Sequence, residues 1–118
     1  MISLTIPYPP QTNHLMTVVR GRKIKSRKYR EWLDLVCPII THQMRDQKPI
    51  EGPFHISLEV DRPDRRRRDL DNTAKAQLDA LVISGAVRDD SDSLSIILKW
   101  SGPDPVKPAS ARIEIEAA

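Results

Sequence analysis

Four segments of this chain alternate apolar with polar residues. This period of two is typical of a strand that buries one face. The segments are residues 2–7, 54–60, 94–98 and 111–115. A basic hairpin is predicted at residues 15–24, with its turn at Gly21. The sequence Gly102-Pro103-Asp104-Pro105 predicts the turn before the last strand.

Apolar residues recur at helical spacing in two longer segments. The first follows Ser26, a good N-cap residue, and extends to about Met44. Pro38 lies inside it and is expected to kink or split the helix, because proline has no N–H to donate. The second helix is predicted to begin near residues 69–72. It should end before Gly85, which suits the left-handed position after a helix.

The predicted element order is ββαβαββ, which indicates an α+β domain with a mixed β-sheet and two main helices. A length of 118 residues fits one domain, residues 1–118. No apolar run approaches the roughly 18 residues that a membrane span needs, and no secretory signal is visible. Cys37 is the single cysteine, so an internal disulfide is excluded. We therefore expect a cytoplasmic protein without a membrane segment.

Charge is distributed very unevenly along the chain. Residues 1–30 carry seven basic side chains and no acidic one, and residues 62–68 carry five arginines and one aspartate. The rest of the chain is net acidic, so the total formal charge is only +3. Two concentrated basic blocks in an otherwise acidic chain indicate a polyanionic partner.

Acidic residues follow the second basic block. Asp69 and Asp71 precede or open the second helix, Lys75 comes four residues after Asp71, and an acidic turn at residues 89–92 follows the helix. Carboxylates are the ligands that Mg²⁺ prefers. Simpler explanations remain open at this point, namely helix capping by the aspartates and an exposed ion pair of Lys75. The acidic turn could reach Asp69 and Asp71 by a chain reversal or through a partner subunit.

The segment Pro63-Asp64-Arg65-Arg66-Arg67-Arg68-Asp69-Leu70-Asp71-Asn72 resembles the RusA family of Holliday-junction resolvases, the crossover junction endodeoxyribonucleases. These are small enzymes of phage origin, and the resemblance extends over nearly the whole chain. The weaker matching positions are Pro9-Pro10, Asn13, Arg20–Arg22, Lys75, Asp79–Leu81, Gly85 and Asp89-Asp90.

The resemblance implies a homodimeric endonuclease that cuts two opposed strands of a four-way DNA junction. It implies Mg²⁺ as the cofactor, with Mn²⁺ as an alternative ion, and no organic cofactor. The implied metal ligands and catalytic carboxylates are Asp69, Asp71 and Asp90, and the implied catalytic lysine is Lys75. The basic residues expected to hold the DNA are Arg65, Arg66, Arg67, Arg68, Arg20, Arg22 and Lys23.

Two other functions are compatible with the residues. One is a metal-dependent nuclease that acts on other branched or duplex nucleic acid. The other is a junction-binding module without catalysis, in which the aspartates serve only as helix caps. Mg²⁺-stimulated cleavage would exclude the binding module without catalysis. Cleavage of a panel of substrates would distinguish a nuclease of other specificity from a junction resolvase.

Overall fold

Strands and helices form close to the segments that the periodicity predicts. The computed structural model describes all 118 residues. Its elements are β1 (Ile2–Pro7), β2 (Met16–Val19), β3 (Arg22–Lys25), α1 (Arg27–Gln43), β4 (Phe54–Arg62), α2 (Ala74–Ile83), β5 (Ser93–Pro105) and β6 (Ser110–Ala117). Single 3-10 turns lie at Thr12–His14, Leu70–Thr73 and Asp90–Asp92. The predicted order ββαβαββ is one strand short, because both arms of the hairpin are strands and three strands precede α1.

The main sheet has four strands in the order β1-β6-β4-β5. β6 pairs antiparallel with β1 and with β4, whereas β4 and β5 are parallel. The predicted α+β class with a mixed sheet and two helices is therefore confirmed. Parallel strands need a crossover connection. Here that connection comprises residues 63–92, which include α2.

The hairpin β2–β3 forms a separate two-stranded sheet. Its turn residues Arg20 and Gly21 both have positive φ, at 52° and 77°. Positive φ at both central residues matches the right-handed twist of a two-residue hairpin. All residues of β2 and β3 are exposed, so the hairpin packs little of its surface against the main sheet.

One face of the main sheet carries the core. Apolar side chains of β1, β4 and β6 are buried there together with those of α1 and α2. The largest fully buried ones are Tyr29, Phe54, Ile6, Ile40, Ile56, Leu58, Leu81, Ile113 and Ile115. Neither helix is both long and apolar enough to span a membrane.

The predicted split of the first helix at Pro38 is wrong, because α1 is continuous from Arg27 to Gln43. The N–H that proline lacks would have bonded the carbonyl of Asp34. Asp34 and Pro38 are both exposed, so water can hydrogen-bond that carbonyl. The helix begins at the predicted N-cap, since Ser26 Oγ accepts a hydrogen bond from the Tyr29 N–H at 3.1 Å.

The predicted turn at Gly102–Pro105 is also wrong, because β5 continues through these residues to Pro105. β5 is an edge strand of the sheet. Proline is tolerated at an edge because one side of the strand has no hydrogen-bonding partner. The chain turns instead between Pro105 and Ser110.

A buried carboxylate joins three strands on the face of the sheet opposite the core. Asp61 of β4 is 4% exposed. Its carboxylate accepts hydrogen bonds from Ser101 Oγ at 2.7 Å, from Arg112 Nη2 at 2.7 Å and from the Ser110 N–H at 3.1 Å. The bonds from Arg112, above all, hold the pKa of Asp61 well below its usual range. The carboxylate is therefore a structural centre of β4, β5 and β6.

Replacing Asp61→Asn is expected to lower the free energy of unfolding by about 2 kcal/mol at neutral pH, because charged hydrogen bonds are lost in a buried place. A depressed pKa stabilises the fold above the pKa of the unfolded chain, about 3.9. That contribution is lost as the pH falls further. The free energies of unfolding of the wild type and the Asp61→Asn variant, measured with urea, should thus differ less below about pH 4. Asp104→Asn, at an exposed position, is the control, and an equal loss there would contradict the assignment.

Candidate active site

The arginine run lies in a turn that Asp64 organises directly after β4. The Asp64 carboxylate accepts hydrogen bonds from Arg68 Nη2 at 2.7 Å and Nε at 3.1 Å, and from the Arg66 N–H at 3.0 Å. The bonds from Arg68 make the largest contribution to lowering the pKa of Asp64 to about 2. A two-pronged pair of this kind fixes the guanidinium of Arg68 in one orientation.

The four arginines therefore differ in their freedom to bind a ligand. Arg68 is held by Asp64, and Arg65 lies 3.6 Å from Asp104 in an exposed pair. Arg66 and Arg67 are exposed and have no ion-pair partner. These two guanidinium groups are the ones available to an incoming anion.

Asp69 and Asp71 follow at the 3-10 turn that leads into α2. Both are exposed, and neither carboxylate takes part in an ion pair or a side-chain hydrogen bond. Asp69 has the extended backbone of an N-cap residue but makes no capping bond. Capping by a side-chain hydrogen bond thus does not explain Asp69, and both carboxylates keep their oxygens free.

The turn that carries these aspartates is itself anchored. Thr73 is fully buried, and its hydroxyl donates to the Leu70 carbonyl at 2.7 Å. Thr12 Oγ1 donates to the Asn72 carbonyl at 3.0 Å, which ties the loop after β1 to the same turn. Gln77 Nε2 donates to the Thr73 carbonyl at 2.9 Å inside the protein. The backbone beneath Asp69 and Asp71 is therefore well supported.

The chain reverses after α2 at the predicted glycine. Gly85 has φ +79°, and the N–H groups of Gly85 and Ala86 donate to the carbonyls of Val82 and Leu81 at 3.0 and 2.9 Å. This is a Schellman motif, in which the residue after the C-cap takes the left-handed conformation. Ala86 and Val87 are then buried, which directs the chain back along the protein.

The acidic turn after this reversal is locally capped. Asp89 accepts a hydrogen bond from the Ser91 N–H at 2.9 Å, and Arg88 Nη2 lies 3.0 Å from Asp92. Asp90 has neither of these partners and faces Lys75 instead, with 3.6 Å between Lys75 Nζ and Asp90 Oδ2. Reversal of the same chain therefore brings the acidic turn to the start of α2.

Lys75 stands between two carboxylates. Its Nζ is 2.9 Å from Asp79 Oδ1 in addition to its contact with Asp90. The hydrogen bond to Asp79 is the main reason that the pKa of Lys75 is raised. The ion pair with Asp79 at i, i+4 is thus present, but it is one part of a larger acidic cluster, formed by Asp79, Asp89 and Asp90 around Lys75. The Tyr29 hydroxyl donates to Asp79 Oδ2 at 2.7 Å from the other side.

The hairpin reaches this cluster through its last residue. Lys25 lines an open groove of about 360 Å³ together with Lys75, Asp79, Asp89 and Asp90. Arg20, Arg22 and Lys23 lie further along the hairpin and are exposed. One basic block therefore adjoins the acidic cluster.

Comparison with known proteins bears on what this arrangement is for. Residues 7–117 match the family described as Endodeoxyribonuclease RusA. The chain belongs to the RusA family. The crossover junction endodeoxyribonuclease RusA of Escherichia coli (strain K12) is 42% identical over 89 residues, which cover 75% of this chain and 73% of that protein. Its counterpart in Shigella sonnei (strain Ss046) has the same identity and coverage. The counterpart in Enterobacteria phage 82 is 41% identical over 88 residues, which cover 75% of this chain and 72% of that protein.

The three carboxylates predicted as metal ligands in this RusA-family chain are Asp69, Asp71 and Asp90. No three His, Cys, Asp or Glu side chains are arranged as a closed metal cluster. The donor chemistry nevertheless fits Mg²⁺, which is usually held by one or two carboxylates plus waters and phosphate oxygens. Asp69 and Asp71 have free oxygens, and the one ion pair of Asp90 is with Lys75, at 3.6 Å.

Three residues in or beside the acidic cluster are not among the predicted site residues. From the sequence alone, Tyr29 is one of the apolar residues of the first helix, and Lys25 is one of several basic residues in the hairpin. Asp79 has the spacing of a partner in an ordinary helical ion pair. Two signals point to Asp79, namely its spacing from Lys75, because residues four apart meet on a helix, and its place among the positions that resemble the RusA family. Nothing in the sequence links Tyr29 to either residue.

Replacing Gly85→Ala is expected to destabilise this RusA-family protein by about 1–2 kcal/mol, since a Cβ strains the left-handed conformation. No atom lies within 4 Å of the Cβ position, so the cost comes from the backbone alone. Gly102→Ala is the matched control, because its surroundings are equally open and its φ is not left-handed. Thermal unfolding of both variants measures the difference, and equal stabilities would refute the role of Gly85.

Proposed function

We propose that this chain is a Mg²⁺-dependent endodeoxyribonuclease that resolves four-way DNA junctions by paired cuts in two opposed strands. The observation that carries the proposal is the position of Lys75, whose ammonium links α2, the helix that follows Asp69 and Asp71, to the turn of Asp90. The names of the relatives, crossover junction endodeoxyribonucleases, support the same substrate. DNA as the substrate favours the cytoplasm as the place of action.

The proposed roles follow from the chemistry of each side chain. Asp69, Asp71 and Asp90 would hold Mg²⁺, and Mn²⁺ has ligand preferences similar enough to replace it. When bound, the ion supplies an activated water and neutralises charge that develops on the phosphate. The ammonium of Lys75 lies beside Asp90. From there it can stabilise negative charge on the scissile phosphate through a charged hydrogen bond.

The basic residues would position the DNA. Arg66 and Arg67 have free guanidinium groups, whereas Arg65 and Arg68 are paired with Asp104 and Asp64. On the hairpin, Arg20, Arg22 and Lys23 are exposed and precede Lys25, which lines the groove beside Asp90. Contacts of this type bind phosphates and orient the duplex without reading its sequence.

A homodimer completes the proposed activity. Each chain offers one set of the proposed ligands Asp69, Asp71 and Asp90, and two opposed cuts require two such sets related by a two-fold axis. The β5 edge supports such pairing, because Leu94, Ile96 and Ile97 are 62%, 45% and 60% exposed. On the other edge strand, β1, the side-chain amide of Gln43 already bonds both backbone groups of Thr5.

Replacing Asp71→Asn is expected to abolish Mg²⁺-dependent cutting of a mobile four-way junction and to leave junction binding intact, because a ligand carboxylate is lost without a change in size. The measurement compares cleavage of the junction and of a linear duplex at one salt concentration. Asp46→Asn, at an exposed position near the end of α1, is the matched control and should cut normally.

Cleavage of the junction by the Asp71→Asn variant at the wild-type rate would exclude the assigned metal site. Efficient cutting of linear duplex or of other branched DNA by the wild type would show that the four-way junction is not the specific substrate. A wild-type protein that binds the junction and never cuts it with either ion would indicate a binding module.

The double variant Arg66→Ala/Arg67→Ala is expected to weaken junction binding for all sequences alike. The slope of the logarithm of the binding constant against the logarithm of the salt concentration should become shallower by about one unit for each arginine that contacts a phosphate. Fluorescence anisotropy at several salt concentrations without divalent ions measures both quantities. Arg45→Ala/Lys48→Ala removes the same charge elsewhere on the surface and serves as the control. Equal slopes for the two double variants would show that the arginine run does not contact phosphates.

A further inference from the structure

We infer that Tyr29 and Asp79 are positioning residues that hold the Lys75 ammonium beside Asp90. The inference deepens the proposed function and rests on it for its catalytic consequence. Neither residue needs to touch DNA or metal in this role. The observation behind it is a continuous chain of contacts that leads from the core to the acidic cluster.

The chain of contacts begins at a rigid group. Tyr29 is 1% exposed, and its ring stacks on Trp32 with 6.4 Å between centroids and 23° between planes. Its backbone lies in the first turn of α1, where Ser26 caps the helix. The Tyr29 hydroxyl is thus placed by packing and by helix capping, and it donates its one hydrogen bond to Asp79.

Asp79 divides its two carboxylate oxygens between two partners. Oδ2 accepts from Tyr29 at 2.7 Å, and Oδ1 lies 2.9 Å from Lys75 Nζ. A rotation of the carboxylate that released Lys75 would also disturb the bond from Tyr29. Because both oxygens are engaged within the protein, Asp79 is suited to orient a neighbour and less suited to bind a metal ion.

Lys75 needs such a support because its side chain is half exposed, at 51%. A free lysine side chain samples many rotamers, and holding it in one of them costs entropy. The contact with Asp90 alone, at 3.6 Å, is long for a hydrogen bond. The closer bond to Asp79 therefore restricts where the ammonium lies.

The pair of Lys75 and Asp79 is less exposed and better supported than another helical ion pair in the same chain. Arg27 and Glu31 are also four residues apart at 2.9 Å, but their side chains are 86% and 65% exposed and no third side chain bonds either one. An exposed pair of that kind contributes little. In the Lys75 pair the carboxylate is 25% exposed and is tied to a core tyrosine.

The first test is kinetic. Tyr29→Phe removes one hydroxyl, and Asp79→Asn removes the charge with no change in size. Both variants should lower the single-turnover rate of junction cutting by about 10- to 100-fold, since a misplaced catalytic group is that costly. Junction affinity without divalent ions should stay within about twofold of the wild type, because neither residue contacts DNA in this proposal. Tyr8→Phe removes the other tyrosine hydroxyl, which is buried without a partner, and should cut normally.

The second test does not depend on cutting. In metal-free protein labelled with ¹⁵N-lysine, NMR relaxation of the Lys75 ammonium reports its mobility, and the Lys75→Arg spectrum assigns the signal. Restricted motion is expected in the wild type and greater motion in both variants. In a Lys75→Met background, Tyr29→Phe should cause no further loss of residual cutting rate, because the hydroxyl is proposed to act through Lys75 alone.

Several outcomes would overturn the inference. One is a folded Tyr29→Phe or Asp79→Asn protein with the wild-type cutting rate and wild-type Lys75 mobility. Another is an equal loss of rate from Tyr29→Phe with and without Lys75, which would indicate a general structural effect. If the wild type cuts no junction, the proposed function is wrong. The ammonium mobility then decides by itself whether Tyr29 and Asp79 restrain Lys75.

Discussion

Parallel pairing of β4 with β5 requires the chain to leave one end of the sheet and return to the other before β5 can begin. The chain leaves at Arg62 and re-enters at Ser93, which pairs opposite Phe54. The connection between them contains the arginine run and all of the proposed catalytic residues. The proposed chemistry therefore lies on the segment that the sheet constrains at both ends.

This constraint brings the acidic turn that carries Asp90 back to the start of α2, as the proposed site requires. Asp69 lies directly before the 3-10 turn that leads into α2, and Asp90 lies just before the chain returns to the sheet. α2 has only ten residues, so a long side chain at its start can reach the returning turn. Lys75 does so, and its ammonium offsets the repulsion between carboxylates that the connection brings near one another. The stabilising charge network of Asp61 and Arg112 is separate, on the opposite face of the sheet.

Much of the fold could be predicted from the sequence because its signals are local. The alternation at residues 54–60, the cap at Ser26 and the left-handed residue Gly85 all depend on immediate neighbours, and all three are confirmed. The errors arose where the environment outweighs local preference. The sequence of residues 102–105 predicts a turn, but the segment belongs to the edge strand β5, which tolerates its prolines. The predicted split at Pro38 does not occur, because the exposed side of α1 lets water replace the missing bond.

In the candidate site, too, the sequence predicts the local features, whereas the long-range contacts depend on the tertiary structure. Short motifs in the sequence determined the residue types, namely a run of arginines, closely spaced aspartates and a lysine one helical turn later, because spacing along a helix or turn is a property of a few consecutive residues. The tertiary structure alone decided that Asp90 meets Lys75 and that Tyr29 meets Asp79, a pair separated by 50 positions. Contacts of such separation depend on how α1 and α2 pack on the sheet. No periodicity along the chain specifies them.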